Sequence, residues 1–429
     1  MSLNTPPDLH AEKLVFTGVC DWAGLVRGKA FPEADLDIRL AKGMGYTLSN
    51  IMMSCFGPIL TTPFGTGGDL ILRPDPAVRV EVGFGGFGTA ERFYLADLQN
   101  TDGTPWECCP RDFLRRAIAA LARHGLTLTA AFEQEFVYTG IEARPGDTYA
   151  LAAHRRQGNF GEALMAALRE AGLRPDSFMA EYGPRQFEVT VGPEPALRAA
   201  DDAVILREIT RAVAWRLGQR AIFAPMLEPE GTGNGTHIHM SLADRSGPMT
   251  YDPAAPYGIA AAAAPFFAGI LAHLPALAAF TAPSVGSYFR FTPNRWAPVH
   301  ASLGVQDRGA AMRVAPVFAT AREAAARQFN VEYRVADATA SPYLALGALI
   351  FAGVAGLDAG LTLPEPGAAA ALLPRTLAEA LDALAGDTTA KTWWSETAMA
   401  AYLAFKRAEI AHLAASSPAG ICTLYADIY

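Results

Sequence analysis

Four short apolar stretches of this chain carry charged or imidazole side chains at alternate positions, and that pattern constrains the fold more than any other feature. Glu133 and Glu135 lie in Ala-Ala-Phe-Glu-Gln-Glu-Phe-Val, and His237, His239 and Ser241 in Thr-His-Ile-His-Met-Ser-Leu. Glu332 and Arg334 lie in Phe-Asn-Val-Glu-Tyr-Arg-Val, and Glu188 in Gln-Phe-Glu-Val-Thr-Val, with Glu181 upstream of it. Side chains two apart on a strand point to the same face, so each stretch reads as a strand with one apolar and one polar face. Alone, a Glu-x-Glu pair is most often a solvated strand face, and a His-x-His pair is ambiguous between packing and ligation. Four such strands in one apolar-rich chain are harder to assign to solvent. Burying this many carboxylates without compensating charge would cost on the order of several kcal/mol each. Divalent cations would compensate them, and carboxylate-dominated ligation with one imidazole favours Mg²⁺ or Mn²⁺ over zinc.

A second group of residues is basic: Arg290 in Ser-Tyr-Phe-Arg-Phe, Arg308 in Gln-Asp-Arg-Gly and Arg313 in Ala-Met-Arg-Val. Spacing alone leaves open whether they form surface salt bridges or bind an anion. The planar guanidinium pairs bidentately with carboxylates and phosphates. Cations and arginines together suggest phosphoryl transfer onto an anionic substrate. There is no Gly-x-x-x-x-Gly-Lys-Ser/Thr loop, so a nucleotide would be held differently; Gly231-Thr-Gly-Asn-Gly235 is a glycine-rich turn leading into the histidine strand.

With 429 residues, 51% of them hydrophobic and 18% charged, the chain has material for a large core and for two or three domains. A net charge of −8 without lysine/arginine runs argues against nucleic acid as the main partner. Five scattered cysteines without a Cys-x-x-Cys pair suit a reduced, cytoplasmic protein. Residues 258–286 and 338–357 are free of charged side chains. The first is alanine-rich and interrupted by Pro265 and Pro275, and both read as buried helices rather than membrane spans. Residues 1–10 lack the charged and apolar regions of a signal peptide.

Short strands are expected over 14–19, 78–84 and 91–98, then a helix over 113–124. Beyond it the expected strands are 127–138, 186–191, 236–242 and 331–335, with helices over 161–171 and 204–217. The coarse picture is a small β-rich N-terminal domain followed by a large α/β domain.

The order of these motifs resembles the glutamine synthetase family. Glu-x-Glu-Phe at 133–136, Glu-(x)4-Gln-Phe-Glu at 181–188 and Gly-x-His-Ile-His-Met-Ser-Leu at 235–242 follow its pattern. So do Ser-Tyr-Phe-Arg at 287–290, Arg-(x)4-Arg at 308–313, Glu-Tyr-Arg at 332–334 and the Pro342-Tyr-Leu-Ala that follows. The resemblance implies an α+β fold: a β-grasp-like domain over 13–105, then a catalytic domain over 106–429 with a curved antiparallel sheet. It implies that Glu135, Glu181 and Glu188 hold a cation near the substrate γ-carboxylate, and that Glu133, His237 and Glu332 hold one bridging the ATP phosphates. Arg290 and Arg334 would bind the carboxylates of glutamate, beside the Gly233 loop. Arg308 and Arg313, with Arg290, would form the catalytic arginine set, the first two stabilising the phosphoryl group. His239 and Ser241, with Arg313, would lie on the nucleotide side. The implied partners are ATP, glutamate and an amine, and the implied assembly is a ring-shaped homo-oligomer with sites at subunit junctions.

Two departures concern the nitrogen donor. Glutamine synthetases proper carry a glutamate in Pro-Gly-(aromatic)-Glu-Ala-Pro that helps deprotonate ammonium; here the segment is Pro293-Asn-Arg-Trp-Ala-Pro298, with Trp296 in that place. The Phe-Asp-Gly-Ser-Ser motif, whose aspartate helps bind ammonium, is replaced by Ser49-Asn-Ile-Met-Met-Ser-Cys-Phe-Gly. A desolvated ammonium needs carboxylates, whereas a larger amine can gain from an aromatic face. The resemblance thus points to the branch of γ-glutamyl–amine ligases acting on polyamines, ethanolamine or methylamine. An ammonia-using enzyme and a non-catalytic regulatory or scaffold protein are the alternatives.

Overall fold

A computed structural model of the chain describes residues 11–293 and 297–429. The N-terminal part is a five-stranded sheet built from β1 (Leu14–Cys20), β2 (Val26–Pro32), β3 (Met44–Thr47), β4 (Asp69–Val82) and β5 (Glu91–Gln99), in the order β2-β1-β5-β4-β3. β1 and β5 run parallel; the other neighbours are antiparallel. β4 is longer than the expected 78–84 strand. Its middle contains Pro74 and Pro76, and the register with β5 shifts between Pro74 and Arg79, as suits prolines within a strand.

The second sheet contains β6 (Thr127–Tyr138), β7 (Pro175–Ala180), β8 (Gln186–Val191), β11 (Thr236–Asp244), β13 (Leu303–Val305), β14 (Met312–Val314) and β15 (Val331–Tyr333). Their order is β13-β14-β15-β11-β6-β8-β7, antiparallel except between β13 and β14. Two-residue strands β9 (Glu194–Pro195) and β10 (Ala221–Ile222) pair with β6, and β12 (Gly247–Pro248) with β11. The chain therefore has the α+β architecture expected, with distinct N- and C-terminal sheets.

Alternation fixes which face of the second sheet is covered. On β6, Leu128, Ala130, Phe132, Gln134 and Phe136 are buried, while Thr129, Ala131, Glu133 and Glu135 are partly open; β11 alternates likewise, with Ile238, Met240 and Leu242 buried. Helices Pro110–Ala122 and Ala196–Arg216 pack against β6, and helix Pro342–Ala359 packs on both of them. Pro342–Ala359 is long and apolar enough to cross a membrane, but most of it is enclosed by other parts of the protein; it is the central core helix. The 258–286 stretch forms two helices, Ala264–Ala272 and Leu274–Thr281, bent by 77° at His273. All five cysteines are buried and unpaired.

A buried arginine ties the first sheet to two of the helices that pack against β6. Arg111 on helix Pro110–Ala122 donates to Asp201 through Nε (3.0 Å) and Nη2 (2.9 Å), and also to Asp97 of β5 (3.0 Å) and Asp75 of β4 (3.1 Å). The Tyr343 hydroxyl donates to the same Asp201 at 2.6 Å.

Candidate active site

Strand register lays the polar residues out in rows across the open face. His237 stands opposite Glu133, His239 opposite Glu332, Arg313 opposite Glu332 on the other side, and Glu135 opposite Glu188. Five strands, β14-β15-β11-β6-β8, thus deliver one continuous polar field. They floor a cleft of about 630 Å³ whose walls include Glu181, Gly233, Arg290 and Arg308. Glu332 lies fully buried beneath it.

Distances show how tightly the field is packed. His237 Nδ1 is 3.0 Å from Glu133 Oε2 and 3.3 Å from Glu332 Oε1, and its Nε2 is 3.9 Å from Glu135 Oε1. His239 Nε2 is 3.0 Å from Glu133 Oε1, and its Nδ1 is 2.8 Å from Asn330 Oδ1. Arg313 and Arg334 each donate to one oxygen of Glu332. The Gly235 N–H donates to Glu135 at 2.7 Å, and the Gln186 amide donates to Glu135 at 3.2 Å and to the Gly233 carbonyl at 2.8 Å.

This packing splits the carboxylates electrostatically. Burial pushes the Glu188 carboxyl up to about 10, reinforced by Glu133, Glu135, Glu181 and Glu332. Burial and Glu135 also raise Glu181. Burial opposes ionisation of Glu133 as well, but the charge of His239 and the hydrogen bond with His237 outweigh it and hold it well below the usual carboxylate range. Glu332 is lowered in the same way, with His237, Arg334 and His239 overcoming burial. His239 rises to about 9, because Glu133 more than offsets the burial of its charge.

The donors are carboxylate oxygens and imidazole nitrogens without sulfur. Two groups, Glu133–His239–Glu332 and Glu133–Glu188–His237, bring ligand atoms within 4.8 Å of one another. These residues fit hard divalent cations. Bound there, such ions would neutralise the carboxylates and polarise a phosphoryl oxygen. The first group includes His239, which the resemblance had placed on the nucleotide side.

A testable consequence concerns stability. Glu188 is ionised in the unfolded chain above about pH 4.3 but protonated in the cation-free fold up to about 10. The fold thus holds more protons than the unfolded chain, and its stability falls as pH rises through that window. A cation bound by Glu188 would displace the proton, so its binding would strengthen with pH. The melting temperature gained on adding Mg²⁺ should therefore be larger at pH 8.5 than at pH 6.5 by scanning fluorimetry. A gain equal at both pH values would show that Glu188 is not displacing a proton for the cation.

The glycine loop packs directly on Arg290. A Cβ on Gly233 would lie 2.7 Å from Arg290 Cγ and 3.0 Å from Met226 Sδ, and one on Gly235 would lie 3.0 Å from Arg290 Nη2 and 3.1 Å from His237 Nε2. If Arg290 binds the acid substrate, as the resemblance implies, Gly233→Ala should push it aside and raise KM for that acid about tenfold or more, with KM for ATP little changed. Equal changes in both constants would separate Gly233 from the acid pocket.

Of the residues singled out from sequence, Glu133, Glu135, Glu181, Glu188, Gly233, His237, His239, Arg290, Arg308, Arg313 and Arg334 all line this cleft. Ser241 is not among its lining residues, although its strand position is as expected. Trp296 falls outside the described residues, but its neighbour Ala297 lines the cleft. Sequence reasoning assigned no role to Tyr149, Gln186 or Asn330, which also line it. Gln186 and Asn330 were within reach, because each sits two residues from a glutamate singled out (Glu188 and Glu332). Tyr149 carried no such signal: it belongs to a loop, with a left-handed backbone (φ 55°).

Comparison with known proteins agrees with this geometry. The family model for the glutamine synthetase N-terminal domain matches residues 7–106, and that for the glutamine synthetase catalytic domain matches residues 107–419. The chain is 35% identical over 401 residues to a γ-glutamylpolyamine synthetase of Streptomyces coelicolor, covering 86% of this chain and 83% of the relative. It is 30% identical over 369 residues to a glutamine synthetase of Mycolicibacterium smegmatis, covering 83% and 79%. A crystal structure described as a novel glutamine synthase homolog superimposes with a TM-score of 0.93 at 39% identity, over 99% of this chain and 100% of that one. A carboxylate field whose residues fit divalent cations, arginines facing it and these matches over both sheets have one common reading: the chain belongs to the glutamine synthetase family and is an ATP-dependent carbon–nitrogen ligase.

Proposed function

We propose that this ligase phosphorylates the γ-carboxylate of glutamate with ATP and couples it to an amine other than ammonia, giving a γ-glutamyl amide, ADP and phosphate. A γ-carboxylate oxygen attacks the terminal phosphorus and ADP leaves; the amine nitrogen then attacks the acyl carbon, phosphate departs and the nitrogen loses a proton. Arg290 and Arg334 hold the acid beside the Gly233 loop. Arg308 and Arg313 balance charge on the phosphoryl group, and His239 and Ser241 serve the nucleotide side. Glu135, Glu181 and Glu188 would hold one cation, and Glu133, His237 and Glu332 the other.

The observation that carries the choice of amine is the segment bordering the cleft at Ala297. It reads Pro-Asn-Arg-Trp-Ala-Pro and has no carboxylate, while every carboxylate of the cation field is kept. Similarity to a γ-glutamylpolyamine synthetase supports the same reading. An aromatic ring at position 296 would favour an organic ammonium through its π face. We also read the assembly as a ring of identical subunits that complete one another's sites.

Phosphate release with ATP, glutamate and a panel of amines, ammonium included, tests the proposal. Organic amines should support turnover that ammonium does not match; ammonium equal to the best amine would reject it. Trp296→Glu should raise KM for the preferred amine about tenfold and improve use of ammonium. Unchanged selectivity would remove Trp296 as a determinant.

A further inference from the structure

The residue behind Arg290 has no part in the reaction sequence above. Asp337 is buried, and so is Arg290. Their side chains meet at 3.4 Å, Arg290 Nη1 to Asp337 Oδ2. The same Nη1 donates to the carbonyls of Ala336 (3.0 Å) and Val335 (3.3 Å). All three acceptors belong to residues 335–337, directly after the Glu332–Arg334 motif. Nη1 is thus fully engaged away from the cleft, while Nη2 lies against the glycine loop that lines it.

Asp337 is itself locked. Its Oδ1 accepts from the Thr339 N–H at 3.0 Å and from the Thr339 hydroxyl at 2.5 Å, and its own N–H donates to the Thr281 carbonyl at 3.1 Å. The Ala336 carbonyl that accepts from Arg290 also accepts from Thr236 N–H at the start of β11. Burial works against the charge on Arg290, and Asp337 is the foremost carboxylate opposing that penalty. A long side chain can reach a substrate carboxylate from many rotamers. Fixing one nitrogen by three acceptors on a rigid segment leaves its fork one direction in which to present the other.

We propose that Asp337 is a positioning residue that holds the Arg290 guanidinium in the orientation that receives the acid substrate's carboxylate. The proposal rests on the reading of Arg290 as an acid-binding residue. A purely structural Asp337, serving only to lock the turn to Thr339, is the competing role, and the two differ in which kinetic constant moves.

The test is steady-state phosphate release with L-glutamate, ATP and the best amine of the panel, on the full chain. Asp337→Asn should raise KM for glutamate at least about tenfold, leaving KM for ATP and the Mg²⁺-dependent melting shift within twofold. Thr339→Val, which removes the hydroxyl lock but keeps the carboxylate, should move KM for glutamate in the same direction by less, and serves if the first variant is poorly folded. In an Arg290→Lys background the Asp337→Asn change should add little, because both act through one group. Additive losses, or KM for ATP moving as much as KM for glutamate, would overturn the positioning role. Arg290→Lys with KM for glutamate unchanged would overturn the acid-binding reading itself, and the positioning role with it. A raised KM in Arg290→Lys beside an unaffected Asp337→Asn would overturn the positioning role alone.

Discussion

Glu332→Ala is expected to abolish turnover and to destabilise the fold by about 3–5 kcal/mol. Among the described residues, Glu332 is the cleft carboxylate on which two guanidinium groups converge. Glu332 is fully buried and accepts from both Arg313 and Arg334, with His237 Nδ1 at 3.3 Å. Removing it leaves two largely buried guanidinium groups without a common counter-ion. It also takes a ligand atom from a candidate cation site and releases two arginines that face the cleft. Glu332→Gln keeps shape and one acceptor, so it should recover part of the stability while turnover stays at least about a thousandfold down. Urea unfolding followed alongside phosphate release separates the two effects. Near-normal activity in either variant would contradict the placement of Glu332 at the centre of the site.

The second large effect lies far from the cleft. Arg111→Ala should cost about 3–5 kcal/mol, because it strands the carboxylates that Arg111 gathers from the first sheet and from helix Ala196–Arg216. Arg115 also reaches Asp75 (3.2 Å) and Asp97 (2.9 Å), so those two keep a partner. Asp201 does not: it is buried, and the remaining contact is the hydroxyl of Tyr343 at 2.6 Å. Arg111→Lys should recover little, since one ammonium cannot reproduce a fork that serves three carboxylates. Equilibrium denaturation measures both variants. A loss below about 1 kcal/mol for the alanine variant would match an exposed pair and contradict the burial argument.

How far the sequence announced this structure depended on where the signal was local. Strands β6 and β8 have the bounds expected from alternation alone, 127–138 and 186–191, since one face packs on helices and the other forms the cleft. Their register, which brings Glu135 opposite Glu188, is a property of pairing and could not be read from either strand singly. Helix Ala196–Arg216 begins eight residues earlier than the expected 204–217 helix. Its first turns carry Arg198, Asp201 and Asp202, which look like loop residues. They are helical because Asp201 meets Arg111 and Asp202 pairs with Arg198 at 2.7 Å. Conversely, the expected 331–335 strand ends at Tyr333: beyond it the Val335 and Ala336 carbonyls both accept from Arg290, and Ala336 shares its carbonyl with the Thr236 N–H of β11.

The site followed the same division. Same-face pairs such as His237/His239 were legible because period two is a local property. Asp337 was invisible: a lone aspartate among alanines and threonines, given meaning only by an arginine 47 residues away. The proposed determinant of the amine, Trp296, lies in another place again, in sequence next to Ala297, which borders the cleft.

The most direct test of the central claim is a competition. The enzyme is given ATP, Mg²⁺ and glutamate with equal concentrations of ammonium and the best organic amine, and the products are separated by mass. The account predicts that the γ-glutamyl amide of the organic amine dominates, with glutamine a minor product. Glutamine as the main product would contradict it and return the protein to ammonia-using chemistry.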